Sequence, residues 1–121
     1  MHDYTVPPSL YIQGSSNFPE ELDTLTIECT VTANPPGNIT WLIRTTDGIK
    51  NVLATSKRSI SHHNEPSGSN GPLLRSTLIV RDVLETDSGQ YVCEAASEAF
   101  KQAVSVNFTI TVAGELALIV Y

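Results

Sequence analysis

The side chains of this chain that can do chemistry are two cysteines, three histidines, and asparagines set in acceptor tripeptides. Cys29 and Cys93 allow a single intramolecular pairing, so they form either one crosslink or two separate buried thiols. His62-His63-Asn64-Glu65 offers what looks like a metal-ligand run. Adjacent side chains on a strand point to opposite faces, however, and no third ligand lies nearby in sequence. A solvated loop is the better reading, and no metal is expected. No elbow motif or glycine-rich turn surrounds any serine, so Ser61, His63 and the aspartates form no nucleophile constellation. A phosphate-cradling glycine loop is missing too. The reading is therefore non-catalytic, with no cofactor. Asn38-Ile39-Thr40 and Asn107-Phe108-Thr109 both match the N-glycosylation acceptor pattern.

A chain of 121 residues is one domain by length. Its net charge of −6 comes from acidic residues scattered along the chain rather than gathered in blocks. That balance suits a solvated surface and argues against nucleic acid or an anionic membrane as partner. Met1-His2-Asp3-Tyr4 lacks the apolar core of a signal peptide, and no apolar run is long enough to span a bilayer. If the domain is extracellular, the chain reads as a fragment of a longer precursor, with Met1 and His2 as expression additions.

Nearly every segment alternates with period two, and none keeps a helical period. Val6 to Ile12 reads as an edge strand, because Pro7 and Pro8 cannot donate to a central ladder. Leu25, Ile27, Cys29 and Val31 share the inward face of the next strand, and Ile39, Trp41 and Ile43 that of the third. Asn34-Pro35-Pro36-Gly37 turns the chain, and Thr46-Asp47-Gly48 makes a hairpin leading to a short strand around Asn51 to Ala54. Lys57 to His62 forms another edge strand, and Glu65 to Pro72 a flexible loop. Leu78, Val80 and Val83 belong to the next strand and its turn. Tyr91 and Cys93 share one inward face. Val104, Val106, Phe108, Ile110 and Val112 form the inward row of the last strand. On this phase Asn38 and Asn107 face solvent. Seven to eight short strands with turns between them are the signature of a β-sandwich. Residues 114–121 form an apolar tail outside it, either a tag, the start of a further domain, or the stub of a membrane-proximal segment.

Over residues 4–113 the chain resembles the immunoglobulin superfamily. The resemblance is carried by Cys29, Trp41, Leu78-x-Val80-x-x-Val83 and Asp87-x-Gly89-x-Tyr91-x-Cys93. It implies an all-β, immunoglobulin-like sandwich of two antiparallel sheets with Greek-key connections. It also implies a Cys29–Cys93 disulfide beside Trp41, and hence an oxidising compartment. Tyr91 takes the place of the family's tyrosine corner, tying its phenol to nearby backbone. Asp87 is expected to pair with an arginine that opens an edge strand: Arg58 is the candidate and Arg75 its rival. No Phe-Gly-x-Gly bulge marks the last strand, and Ser97-Glu98-Ala99-Phe100 replaces the usual hairpin glycine. Those departures resemble an intermediate (I-set) domain, with a variable-like domain as the other reading.

The function this resemblance implies is a non-catalytic extracellular recognition or adhesion module. Such modules occur in cell-surface adhesion proteins and in receptor tyrosine kinase ectodomains, which points to a fragment of a single-pass membrane protein. Its partners would be a protein ligand or neighbouring immunoglobulin domains, with self-pairing included, and the domain itself would not touch the membrane. The alternatives are a structural spacer and an intracellular I-set scaffold with reduced cysteines. The third, penultimate and last strands are expected to share a sheet, so glycans on Asn38 and Asn107 would lie on one face. Phe100, at a hairpin tip, either packs against Tyr4 or the loop after Ala33, or stands as an exposed anchor.

Overall fold

Among the described residues period-two alternation becomes eight strands and one short 3-10 turn. The strands are β1 (Val6–Gly14), β2 (Leu25–Asn34), β3 (Asn38–Thr45), β4 (Gly48–Asn51), β5 (Arg58–Glu65), β6 (Leu73–Val80), β7 (Gly89–Ser97) and β8 (Phe100–Ile110), with the 3-10 turn η1 at Glu85–Asp87. This computed structural model describes residues 6–34, 37–65, 73–97 and 100–113. The loop through Pro72 and the tail from residue 114 fall mostly or wholly outside them.

Two four-stranded antiparallel sheets face each other, in the orders β1-β2-β6-β5 and β4-β3-β7-β8. The chain crosses between sheets after β2, β4 and β6, which is the Greek-key pattern. Each sheet gives one face to a shared core. Leu25, Ile27, Cys29 and Val31 come from β2, Leu78 and Val80 from β6, Trp41 from β3, and Tyr91, Cys93 and Ala95 from β7. All are buried because inward positions alternate, so a one-residue slip would expose every one of them. The proline-bearing strand β1 takes an edge, and the segment after it runs beside the residues that follow β8. There the Thr111 and Ala113 N–H groups donate to the carbonyl oxygens of Asn17 and Pro19 at 2.8 and 3.1 Å.

Three expectations shift. The short strand after the hairpin is Gly48–Asn51 rather than Asn51 to Ala54. It pairs with β3 directly from the turn, where Gly48 takes φ +120°. Val52 then leaves the edge and is buried, its N–H bonded to the Trp41 carbonyl oxygen at 2.9 Å. Strand β5 continues past His62 to Glu65, because it stays in register with β6 to Leu73. The inward row of β8 is buried by degrees: Val104 is 38% exposed, Val106 and Phe108 are half-buried, and Ile110 is buried. Cover from the opposite sheet falls away toward the β7–β8 hairpin. Phe108 lies so close to β1 that a Cβ on Gly14 would come within 2.5 Å of its ring.

Gly89 has a specific reason to be glycine. Its φ is +157°, and a Cβ there would sit 3.1 Å from both the Arg44 carbonyl oxygen and the Ile43 side chain. Gly89→Ala is therefore expected to destabilise the fold by about 1–3 kcal/mol, measured by denaturant unfolding, while Gly48→Ala costs only backbone strain because its site is open.

Candidate functional site

Cys29 on β2 and Cys93 on β7 meet across the core as a disulfide, with Sγ–Sγ 2.07 Å and Cα–Cα 6.4 Å. They are 64 residues apart. Closing a loop of that size stabilises the fold by roughly 4 kcal/mol in the chain-entropy account. Trp41 stands directly across β3–β7 from Cys93 and is 2% exposed. Its indole nitrogen needs an acceptor once buried. Ser76 supplies it: Nε1 donates to Ser76 Oγ at 2.8 Å. Ser76, fully buried, also sits directly across from Cys29 in the β2–β6 register. Sequence reasoning missed this residue. The signal was the alternation Leu74-x-Ser76-x-Leu78-x-Val80, which puts one small polar side chain on an otherwise apolar inward row.

A second link between the sheets lies at one end of the sandwich. Asp87, 3% exposed, closes η1 by accepting the Leu84 N–H on Oδ2 at 2.7 Å. Arg58 Nη2 reaches Asp87 Oδ1 at 3.1 Å. Arg58 opens β5 directly across from the buried Val80, so its side chain leans toward the core at the open end. Lys57 Nζ lies nearer still, 2.8 Å from Oδ2, and also donates to the Asp82 carbonyl oxygen at 3.0 Å. The sequence reading overlooked Lys57. It precedes the strand, so it is free of the alternation that would send it to the other face. Arg75, the rival for Asp87, faces outward, with Nη1 2.7 Å from Glu65 Oε2 and Nε 3.7 Å from Glu28 Oε2.

Burial pushes the Asp87 carboxyl up. The Lys57 ammonium, the Leu84 N–H and the Arg58 guanidinium together outweigh it and hold the carboxyl below its ordinary 3.8. Tyr91 is fully buried and donates its hydroxyl to the Asp87 carbonyl oxygen at 2.7 Å. Burial, helped by the Asp87 charge and opposed by Arg58, pushes that phenol up to about 12. It stays a donor at any ordinary pH.

Over residues 7–97 the sequence matches the family described as Immunoglobulin domain. The chain belongs to that family. Hemicentin-1 of Mus musculus is 30% identical over 115 residues, covering 91% of this chain and 2% of that protein. Leucine-rich repeats and immunoglobulin-like domains protein 1 of Homo sapiens is 28% identical over 90 residues, covering 74% of this chain and 7% of that protein. The chain thus spans a small part of each relative. Among the described residues the second sheet of this immunoglobulin domain has four strands, one more than the three of constant-type domains and one fewer than the five of variable-type domains.

The outer faces of this immunoglobulin domain differ. On the β1-β2-β6-β5 sheet, register aligns Tyr11, Thr30, Arg75 and His63 in one outward row. Tyr11 is 62% exposed. On the other sheet Asn38 and Asn107 are both exposed, as are Thr40 and Thr109 two residues on. The Phe100 side chain lies outside those described. His62 and His63 are exposed on β5, with His63 Nε2 3.6 Å from Glu65 Oε2. Among the described residues no three His, Cys, Asp or Glu side chains converge to hold a metal, and no helix is long and apolar enough to cross a membrane. A depression of about 470 Å³ between the β3–β4 hairpin and η1 is lined in part by Asp47, Lys50, Arg58 and Tyr91.

Two outcomes follow from the clamps. Ser76→Ala leaves a buried indole N–H without an acceptor and should cost roughly 1–3 kcal/mol in denaturant unfolding. Adding Trp41→Phe should then cost less than it does alone, since the orphaned donor goes with it. For Asp87 the folded value is the lower one, so its stabilisation is complete above 3.8 and is lost as pH falls through the folded value. Asp87→Asn should lower stability at neutral pH by about 1–3 kcal/mol. It should also flatten the acid limb of a stability–pH curve.

Proposed function

We propose that this immunoglobulin domain is a non-catalytic, extracellular protein-recognition module of a larger multidomain protein. The observation that carries the reading is the buried Cys29–Cys93 disulfide, which forms and persists in oxidising compartments. Two further features support it. The lining of the 470 Å³ depression includes no histidine or cysteine, so no histidine-activated or thiol nucleophile stands in it. The domain's relatives are many times longer than the chain, as expected of a module repeated or combined with others.

Recognition is assigned to the outer face of the β1-β2-β6-β5 sheet. An exposed tyrosine on β1 and an arginine on β6, one strand apart across Thr30 of β2, are the side chains that interfaces favour, held here on a rigid ladder rather than a mobile loop. The Arg75–Glu65–Glu28 cluster beside Tyr11 presents both signs of charge, which suits a mixed-charge protein surface, a second copy of this domain included.

Material from its natural source, alkylated before and after reduction, should show no free thiol at first and both afterwards. Two free thiols at the start would remove the extracellular reading. A multivalent display of the domain, screened against displayed extracellular proteins and against itself, is expected to find a partner. Tyr11→Ala should weaken that binding by more than about tenfold without changing the melting temperature. Binding indifferent to Tyr11→Ala would overturn the choice of face.

A further inference from the structure

We infer that Asn38 and Asn107 both carry N-linked glycans, and that the Asn107 glycan covers an apolar strip on the outer face of the β4-β3-β7-β8 sheet. The inference rests on the extracellular reading, because the modification takes place in the secretory pathway. Sequons are short and common. The case here comes from where the fold puts them. Along a strand residues i and i+2 share a face, so each acceptor amide stands beside its threonine hydroxyl. All four residues are exposed, on the one sheet.

Asn107 has a particular neighbourhood. Register aligns Leu42 of β3 with Val92 of β7, and Val92 with Asn107 of β8, in one outward row. Val92 is out of phase with the inward Tyr91 and Cys93, yet it is only 7% exposed, and Leu42 is half-buried. The rows on either side are polar: Thr40–Glu94–Ser105, and Arg44–Gln90–Thr109 with Arg44 Nη1 2.7 Å from Gln90 Oε1. An apolar strip one strand in from an edge-strand acceptor matches a pyranose ring, whose face is lined by C–H groups and whose rim is polar. The first sugars can lie along this row, over the edge of Val92 that its neighbours leave open and on to the part-exposed Leu42, with their rims against the polar rows.

The step is a redox-neutral displacement. The asparagine amide nitrogen attacks C1 of an oligosaccharide carried on a polyprenyl diphosphate. The N–C1 bond forms as the C1–O bond breaks. The amide proton passes to a base, and the lipid diphosphate leaves with the electron pair.

The test is expression in a glycosylating secretory host, with glycan mass, disulfide state and melting temperature read on the same material. The expected chain is disulfide-linked and carries two glycans, and Asn107→Gln and Thr109→Ala each remove the same one. Both variants should lower the melting temperature by roughly 2–5 °C. In disulfide-linked chain from an oxidising host that does not glycosylate, the same substitutions should leave it unchanged. A disulfide-linked chain with either asparagine unmodified overturns the glycan assignment. A shift that is absent, or equal in both hosts, overturns the covering of the strip. Free thiols in this host would instead overturn the extracellular reading beneath it.

Discussion

Everything in this domain depends on two sheets being held face to face across an interior where Cys29 and Cys93 join. Neither sheet could keep its inward row dry alone. Leu25, Ile27 and Leu78 from one sheet and Trp41, Tyr91 and Ile110 from the other become core only when the sheets close. The disulfide restrains the separated chain from opening far, and the buried area does the rest. Polar atoms caught inside that closure must be satisfied there. Ser76 is the clearest case, a hydroxyl placed among apolar neighbours so that the Trp41 indole can be fully buried.

The Asp87 corner solves a related problem at the open end of the sandwich. There the chain must pass from β6 to β7, and backbone groups in the connection have no ladder to join. Asp87 satisfies the Leu84 N–H with its carboxylate and the Tyr91 hydroxyl with its carbonyl oxygen. Lys57 and Arg58 then bring the edge of the opposite sheet to the same residue. One residue, through its carboxylate and its carbonyl oxygen, thereby ties a turn, a buried phenol and two sheets together. Because its cationic partners are part-exposed, the charge attraction in this tie is screened by water and salt, and it is lost only in acid, where the lowered Asp87 carboxyl takes up a proton.

With both sheets fastened, the two outer faces are what the sandwich turns to solvent. They are chemically unlike because the outward phase of each strand is free of core packing. One face presents Tyr11, Arg75 and their charged neighbours, while the other presents two acceptor asparagines around Leu42 and Val92. A rigid sandwich with two dissimilar faces suits a recognition module, since binding chemistry can change on the outward phase without disturbing the inward one.

Much of this was legible in the residues themselves. Strict alternation set the inward rows of β2, β3 and β7, and the family resemblance carried by Cys29, Trp41 and Cys93 implied how the sheets close. Asn38 and Asn107 fell on the outward phase by parity alone. What parity could not say is which strands end up as neighbours and how far one sheet covers another. Ser76 and Lys57 became partners of Trp41 and Asp87 only when the two sheets packed face to face, contacts between residues 35 and 30 positions apart. Val104 kept the inward phase and still lost its cover near a hairpin. Local periodicity is a property of a strand, whereas burial and pairing belong to the assembled sheets, and only the tertiary structure decides those.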